Sequence, residues 1–525
     1  MEVPAVRPTT LQEPLVTPTL LLHRRRTVLV TLAIAALTAV PMSSSAGTRA
    51  GASPEAGASA AAPAGVASRS TPAPIVTPDG LLMSYVVNAT VDGPQDMAAV
   101  QQAVVDAGGV VVAAWPQIGV VVAHSSRRLF RSRVVSLSSG TVGSAAPTRT
   151  VSVREGTPRG AAPTWSPAPA TAVRPTAAPA APTPDPREPE QWDLRMIGAD
   201  TAHDTTDGSP AVVVGVLDSG IDASHPDLAP NIDAADSVNC TDAGRPDTSA
   251  TGWLPTNSAH GTHVAGTIAA ARNGIGIVGV APGVRLASVK VVNDDGLIYP
   301  EYAICGFVWA GLRGMTVTNS SFYVDPFEFY CDDRPEQAVP AEALRRAVAW
   351  STAQGVVHAA AAGNSSVDLA HPTIDLHSPD DGTAVARTLN KTCHDLPAEL
   401  PGVAAVSALE RVGSSLNGTL ASYSNRGKGV IDVAAPGSAI LSTLPGNGYG
   451  TLSGTSMASP HVAGVLALMA SVHPGATPAQ LLGWLADQAD AKSCTPSPGG
   501  PACLGRTTLN SFYGNGVVDA ASAVR

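Results

Sequence analysis

Aromatic side chains are scarce in this 525-residue chain, at 4%, and charged residues make up only 14%. With 50 glycines and 45 prolines besides, part of the chain is expected to be low-complexity and to build no packed core. No C-x-x-C pair occurs, which argues against a structural zinc site. Past residue 47 no stretch approaches 18 uninterrupted apolar residues, so no membrane anchor is expected there. No internal repeat is visible. The net charge of −10 is also unevenly spread: residues 1–190 are net basic and the rest is acidic. An acidic globular part argues against nucleic acid or anionic lipid as a partner.

What is present divides the chain into segments. "HRRRTVLVTLAIAALTAVPMSSSAG" (His23–Gly47) sets three arginines before a short apolar run and ends in small residues. That is the pattern of an export signal, assigned to 1–46. Residues 47–80 are rich in Ala, Ser, Gly and Pro and are expected to be disordered. Residues 81–140 read as a small α+β domain. "SYVVNATV" predicts a strand, Pro94–Gly109 a helix ending in glycines, and "GVVVAAW" and "IGVVVAH" two more strands. Residues 141–189 are dense in proline and read as a linker. From 190 to 525 apolar runs alternate with helical patterns. Continuous apolar strands alternating with helices predict an α/β fold, a mostly parallel sheet covered on both faces. Ligands bind beyond the carboxyl ends of such strands.

All six cysteines lie beyond the signal, and an even count in an exported chain favours disulfides. Six cysteines allow 15 pairings. Cys494 with Cys503, which flank a Pro/Gly-rich loop, is the first choice. Cys305 with Cys331 is the second, leaving Cys240 with Cys393.

Polar residues stand at the ends of the predicted strands and at helix starts. Asp218 ends "VVVGVLD", His260 opens "HGTHVAG", Asn364 closes "AAAAGN", and Ser456 begins the helix of "GTSMASPHVAG". Taken singly, each has an ordinary explanation as a cap or turn residue. Together they supply what acyl transfer needs: a hydroxyl nucleophile, a neutral imidazole base, a carboxylate to orient it, and a donor for the developing oxyanion. His260 and His263 lie within one turn, but the glutamate of H-E-x-x-H is missing, which argues against that metal pattern. His461 follows Ser456 by five residues. On a helix it points about 140° away, so it is a poor base for that serine.

Over residues 190–525 the chain resembles the subtilisin-like serine proteases, or subtilases. The resemblance rests on "VLDSGID", "HGTHVAGT", "AAGN" and "GTSMASPHVAG", in the family's order Asp, His, Ser. It implies a three-layer subtilisin-like fold and a secreted serine endopeptidase. Asp218 would orient, His260 would act as base, Ser456 as nucleophile, and Asn364 as oxyanion donor. His461 becomes a family-typical packing residue, and Ser459 is expected to bond locally or pack. No cofactor is required for the chemistry, but a structural calcium is expected. Its loop would be "ARNGIGIVGVAP", with Asn273 and the carbonyls of Ala271, Ile275 and Ile277, a carboxylate from Asp227, and Gln191 as a further ligand. Where the family commonly has Ser-Leu-Gly-Gly on its substrate strand, this chain has Ser321, Phe322 and Tyr323. That bulk would either narrow the cleft or turn outward. Residues 82–135 resemble, more weakly, the family's inhibitory propeptide, which implies a precursor whose partners are protein substrates and its own propeptide. Self-cleavage is expected either near the end of the small domain or near Glu188–Gln191. A catalytically idle scaffold is the rival class.

Overall fold

Apolar runs of valine, alanine and leucine form a nine-stranded, mostly parallel sheet. The computed structural model describes residues 69–158, 184–494 and 500–525, except 74, 76–79, 92 and 94–96. The export signal read at 1–46 lies outside the described residues. A small domain comes first. Its strands are β1 (Met83–Ala89), β2 (Val110–Trp115), β3 (Val120–Ser125) and β4 (Val142–Pro147), and its helices are α1 (Ala98–Asp106) and α2 (Phe130–Leu137). The strands form an antiparallel sheet in the order β2-β3-β1-β4.

The large sheet runs through β5 (Val213–Asp218), β6 (Val238–Asp242), β7 (Arg245–Asp247), β8 (Arg285–Lys290), β9 (Val317–Ser320), β10 (Val357–Ala361), β11 (Val403–Arg411), β12 (Gly418–Leu420) and β13 (Val433–Pro436). Its order is β12-β11-β10-β9-β5-β8-β6-β7, with β13 also paired to β11. The β6–β7 and β11–β12 pairs are antiparallel and the others parallel. The strand order turns at β5. The chain goes to β8 on one side and β9 on the other, and this opens a crevice beyond the end of β5.

One face of the sheet packs on α3 (His260–Ala269) and α6 (Thr455–Val472), the other on α4 (Pro300–Arg313) and α5 (Pro335–Ala353). Helix α6 is long and apolar enough to cross a bilayer, but most of it is buried in the protein, as expected of a core helix. The small domain obeys the two-residue period of a strand. Tyr85, Val87 and Ala123 face its own helices. Val86, Val122, Trp115 and Ile118 join the peptidase core on the α4/α5 side.

Three expectations need correction. A proline-rich linker is expected from 141, but β4 at 142–147 pairs with β1, from Tyr85↔Pro147 to Ala89↔Val142. Its alanines and serine carry a weak strand signal, and cross-strand pairing decides the outcome. Within the segment expected to be disordered, Ser70 is buried and its N–H donates to Asp333 at 2.9 Å. Thr71 N–H donates to Thr388 O at 2.9 Å. The disulfides are Cys240–Cys305, Cys331–Cys393 and Cys494–Cys503. The pair across the Pro/Gly-rich loop is therefore correct, and Cys305–Cys331 and Cys240–Cys393 are not. Cys240 lies on β6 against α4, which carries Cys305. Cys331 pairs with Cys393 across a short antiparallel bridge.

Candidate active site

Asp218 is the last residue of β5 and is 1% exposed. Its Oδ1 accepts from Ser219 N–H at 2.7 Å. Helix α3 starts directly against it. A Cβ on Gly261 would lie 2.5 Å from Gly220 O and 3.1 Å from the Asp218 Cβ, so only glycine lets the His260 turn come this close. His260 Nδ1 lies 2.9 Å from both Asp218 oxygens. An ionised carboxylate only accepts, so Nδ1 carries the proton and Nε2 keeps its lone pair. Burial pulls the imidazole pKa down, but the charge and hydrogen bond of Asp218 outweigh it and raise it above 6.5.

Ser456 is the second residue of α6, at the positive end of an 18-residue helix. Its Oγ donates to Ser321 O at 3.2 Å, and Ser321 Oγ donates back to Ser456 O at 2.8 Å. Asn364, three residues beyond β10, uses its Oδ1 to accept from both the N–H (2.8 Å) and the hydroxyl (2.9 Å) of Thr455. That fixes the amide with Nδ2 as the side left for another acceptor.

Two other residues of the α6 motif work elsewhere. Ser459 Oγ donates to Asn319 Oδ1 at 2.7 Å, while Asn319 Nδ2 donates to Ser321 Oγ at 2.9 Å. Ser459 is fully buried, as the packing alternative expects, and in place of a local bond it makes a long-range one that braces Ser321. His461 is fully buried, with Nδ1 at 2.8 Å from Met457 O and Nε2 at 3.0 Å from Asp193 Oδ2. His263 is buried too, with Nε2 2.9 Å from Ile440 O; burial lowers its pKa to about 4.

Beyond Ser321 the chain's bulky residues are seated in the protein. Phe322 packs against the α4/α5-side core. Tyr323 OH donates to Asp380 Oδ2 at 2.9 Å, on the loop insert that follows Asn364. Asp325 N–H donates to Ile298 O at 2.8 Å, and its carboxyl accepts from Ile298 N–H. Burial, and then the neighbouring Asp380, push the Asp325 carboxyl well above its ordinary range. Asn319, Asp325 and Asp380 were not read from the sequence, since each needs a partner distant in the chain.

Asp227, ahead of α3 in the chain, reaches the loop that follows this helix: its Oδ2 accepts from Ile277 N–H at 3.1 Å and from Tyr449 OH at 2.8 Å. Asn273 Oδ1 accepts from Ile275 N–H at 3.2 Å and its Nδ2 donates to Pro226 O at 3.1 Å. Gln191 instead pairs with Val278: its Nε2 donates to Val278 O at 2.7 Å, and its Oε1 accepts from Val278 N–H at 3.0 Å. Asp185 also reaches this loop and is pushed up to about 6 by burial, with Asp227 adding to the push.

A carboxylate-held imidazole, a serine at a helix start and an amide fixed beside it, all at the strand ends of a parallel sheet, form an arrangement suited to acyl transfer. Comparison with known proteins gives the class its name. The model described as Subtilase family matches residues 209–516. The chain is 34% identical over 334 residues to Subtilisin BL of Lederbergia lenta, covering 64% of this chain and 98% of that one. It is 36% identical over 290 residues to Subtilisin E of Bacillus subtilis, covering 55% and 63%. The chain belongs to the subtilase family of serine endopeptidases, hydrolases of peptide bonds. The fold also matches fervidolysin from Fervidobacterium pennivorans, a keratinolytic enzyme related to subtilisin. The TM-score is 0.58 and the identity 24%, over 85% of this chain and 61% of that one.

Proposed function

We propose that this chain is the precursor of a secreted endopeptidase, in which Ser456 attacks a peptide carbonyl. The observation that carries this reading is the His260 ring, held by both oxygens of Asp218 with Nε2 left as the base. For the attack, the Ser456 hydroxyl turns from Ser321 O to Nε2 and gives up its proton. The resulting imidazolium is stabilised by Asp218 and returns the proton to the leaving amine. Asn364 Nδ2 and the Ser456 N–H donate to the oxyanion. Water then hydrolyses the acyl-enzyme by the reverse route. Ser321 bears the substrate strand, with Phe322 and Tyr323 forming its wall.

Export through the His23–Gly47 signal makes the product extracellular. The small domain acts as an intramolecular inhibitor until it is removed. Its support is the burial of its apolar sheet face in the peptidase core and the Arg149–Glu301 ion pair at 2.6 Å. Both hydrolysis and processing test the reading: Ser456→Ala and His260→Ala should each abolish both, and full activity in either contradicts it.

Calcium fits the loop at 271–277. Asp227 Oδ1 is buried without a hydrogen-bond partner. Gly276 keeps the loop open beside it, since a Cβ there would meet Tyr449 OH at 2.0 Å and Asp227 Oδ2 at 2.2 Å. Asp227, Asn273 and the carbonyls of Ala271, Ile275 and Ile277 would hold the ion, a mixed oxygen set suited to a hard cation. Bound there, calcium supplies positive charge and a crosslink, and takes no part in the chemistry.

A further inference from the structure

Asp395 lies on the insert between Asn364 and β11 and is 1% exposed. Its N–H donates to Glu399 Oε1 at 2.8 Å, but both oxygens of its own carboxyl are buried with no hydrogen-bond partner. Burial, and then the negative charges of Glu328 and Glu399, push that carboxyl well above its ordinary range. The basic groups nearby are engaged elsewhere. Arg387 bonds Asp375 and Phe329 O, and His394 Nδ1 lies 3.4 Å from Glu399 Oε2.

The place of Asp395 is set from two sides. Val324 N–H donates to Leu396 O at 2.9 Å, which lays residues 395–396 along the strand that carries Ser321. On the other side, a Cβ on Gly363 would lie 3.0 Å from Asp395 Oδ2, so the carboxylate reaches the residue just before Asn364. β9 and β10 pair as far as Ser320↔Ala360, and their continuations, 321–323 and 362–364, form two walls beside Ser456. Asp395 closes the space between them from below. The rings of Phe322 and Tyr323 are seated elsewhere, in the α4/α5-side core and against Asp380. Asn425 Nδ2 also borders Gly363 but makes no bond to the carboxylate. A buried carboxylate left in this state is costly unless a cation joins it.

We propose that Asp395 is the floor of the pocket for the residue whose carbonyl Ser456 attacks, and that it selects lysine or arginine there. This rests on the proposed attack by Ser456. The attacked carbonyl must meet Asn364 Nδ2, so the side chain of the same residue enters between the two walls. Its cation donates to the two free oxygens of Asp395 and offsets the surrounding negative charge. An aromatic or aliphatic side chain would seal the carboxylate in without a partner and is rejected.

The test uses the processed, secreted enzyme and a panel of peptidyl aminomethylcoumarins identical except at the residue before the scissile bond. For arginine and lysine, kcat/KM should exceed the value for phenylalanine and leucine about 10²-fold or more. Asp395→Asn should lower the arginine-to-phenylalanine ratio at least about tenfold. A parent enzyme that cuts faster after phenylalanine or leucine overturns the assignment while the endopeptidase reading stands, and so does a ratio that Asp395→Asn leaves unmoved. If no peptide of the panel is cleaved, both fall. The panel reads the parent enzyme by itself, so the assignment is tested even where the variant does not fold.

Discussion

At the scale of single residues, what each polar group can do follows from what it has left after its structural bonds are made. Asn364 gives its oxygen to Thr455, and in the proposed mechanism its N–H donates to the oxyanion. Replacing it with alanine should lower kcat about 10²–10³-fold with little change in KM. Loss of Ser456 or His260 should cost on the order of 10⁶ in turnover. The pH profile is a finer test. The proposed mechanism needs neutral His260, and Asp218 holds its pKa above 6.5. The acid limb of kcat/KM should therefore lie above pH 6.5. In Asp218→Asn the negative charge is gone and burial remains, so the limb should move to lower pH while the rate drops about 10⁴-fold. An unmoved limb would contradict the assignment of Asp218. These four residues were legible in the sequence because each sits in a local motif at a strand end or helix start. Asp185 was not, since nothing in a proline-rich stretch marks one aspartate as buried.

At the scale of elements, β9 and α6 are joined by a chain of side-chain bonds from Ser459 through Asn319 and Ser321 to Ser456. Asn319 is fully buried. Replacing it with alanine leaves the Ser459 and Ser321 hydroxyls short of a partner, at about 1–3 kcal/mol. It should also lower turnover by freeing the strand that Ser321 anchors. Thermal melts and steady-state kinetics on the same variant check both effects. The central strands and the α3 and α6 helices were readable from apolar runs ending in polar or glycine residues. The insert after Asn364 was not. Its strands are two residues long, as at Ile374–Asp375 and Arg387–Thr388, too short to carry a period. Its folding depends on distant partners, such as Arg387 bonding Asp375 and Phe329 O. The two long-range cysteine pairs were missed for the same reason, because proximity in sequence does not measure proximity across α4 and β6, whereas Cys494–Cys503 closes a short loop and was legible.

At the scale of the whole molecule, the small domain packs on the peptidase among the described residues. Arg149, 2% exposed, bonds Glu301 at 2.6 Å and lies 3.8 Å over the Tyr299 ring. Ser84 Oγ also donates to Glu301, at 2.8 Å. Burial raises the Glu301 pKa, but the Arg149 charge outweighs it and holds it below 4.5. The depressed pKa means its contribution to stability is present above pH 4.5 and is lost as pH falls through the folded-state value. Arg149→Ala in the Ser456→Ala chain leaves a buried carboxylate unpaired. It should cost about 3–5 kcal/mol, read as a lower melting temperature of the uncleaved chain. The sequence revealed the small domain but not its hold on the peptidase, which depends on a face of Val86, Val122 and Trp115 whose partner lies elsewhere in the chain.

Ser456 is the proposed nucleophile of an endopeptidase that processes itself. The most direct measurement is labelling of the purified secreted protein with a fluorophosphonate, followed by peptide mass spectrometry. A single adduct on Ser456 that is lost in His260→Ala is the expected result. A folded, processed chain that takes no label, or takes it on another serine such as Ser459, would contradict it.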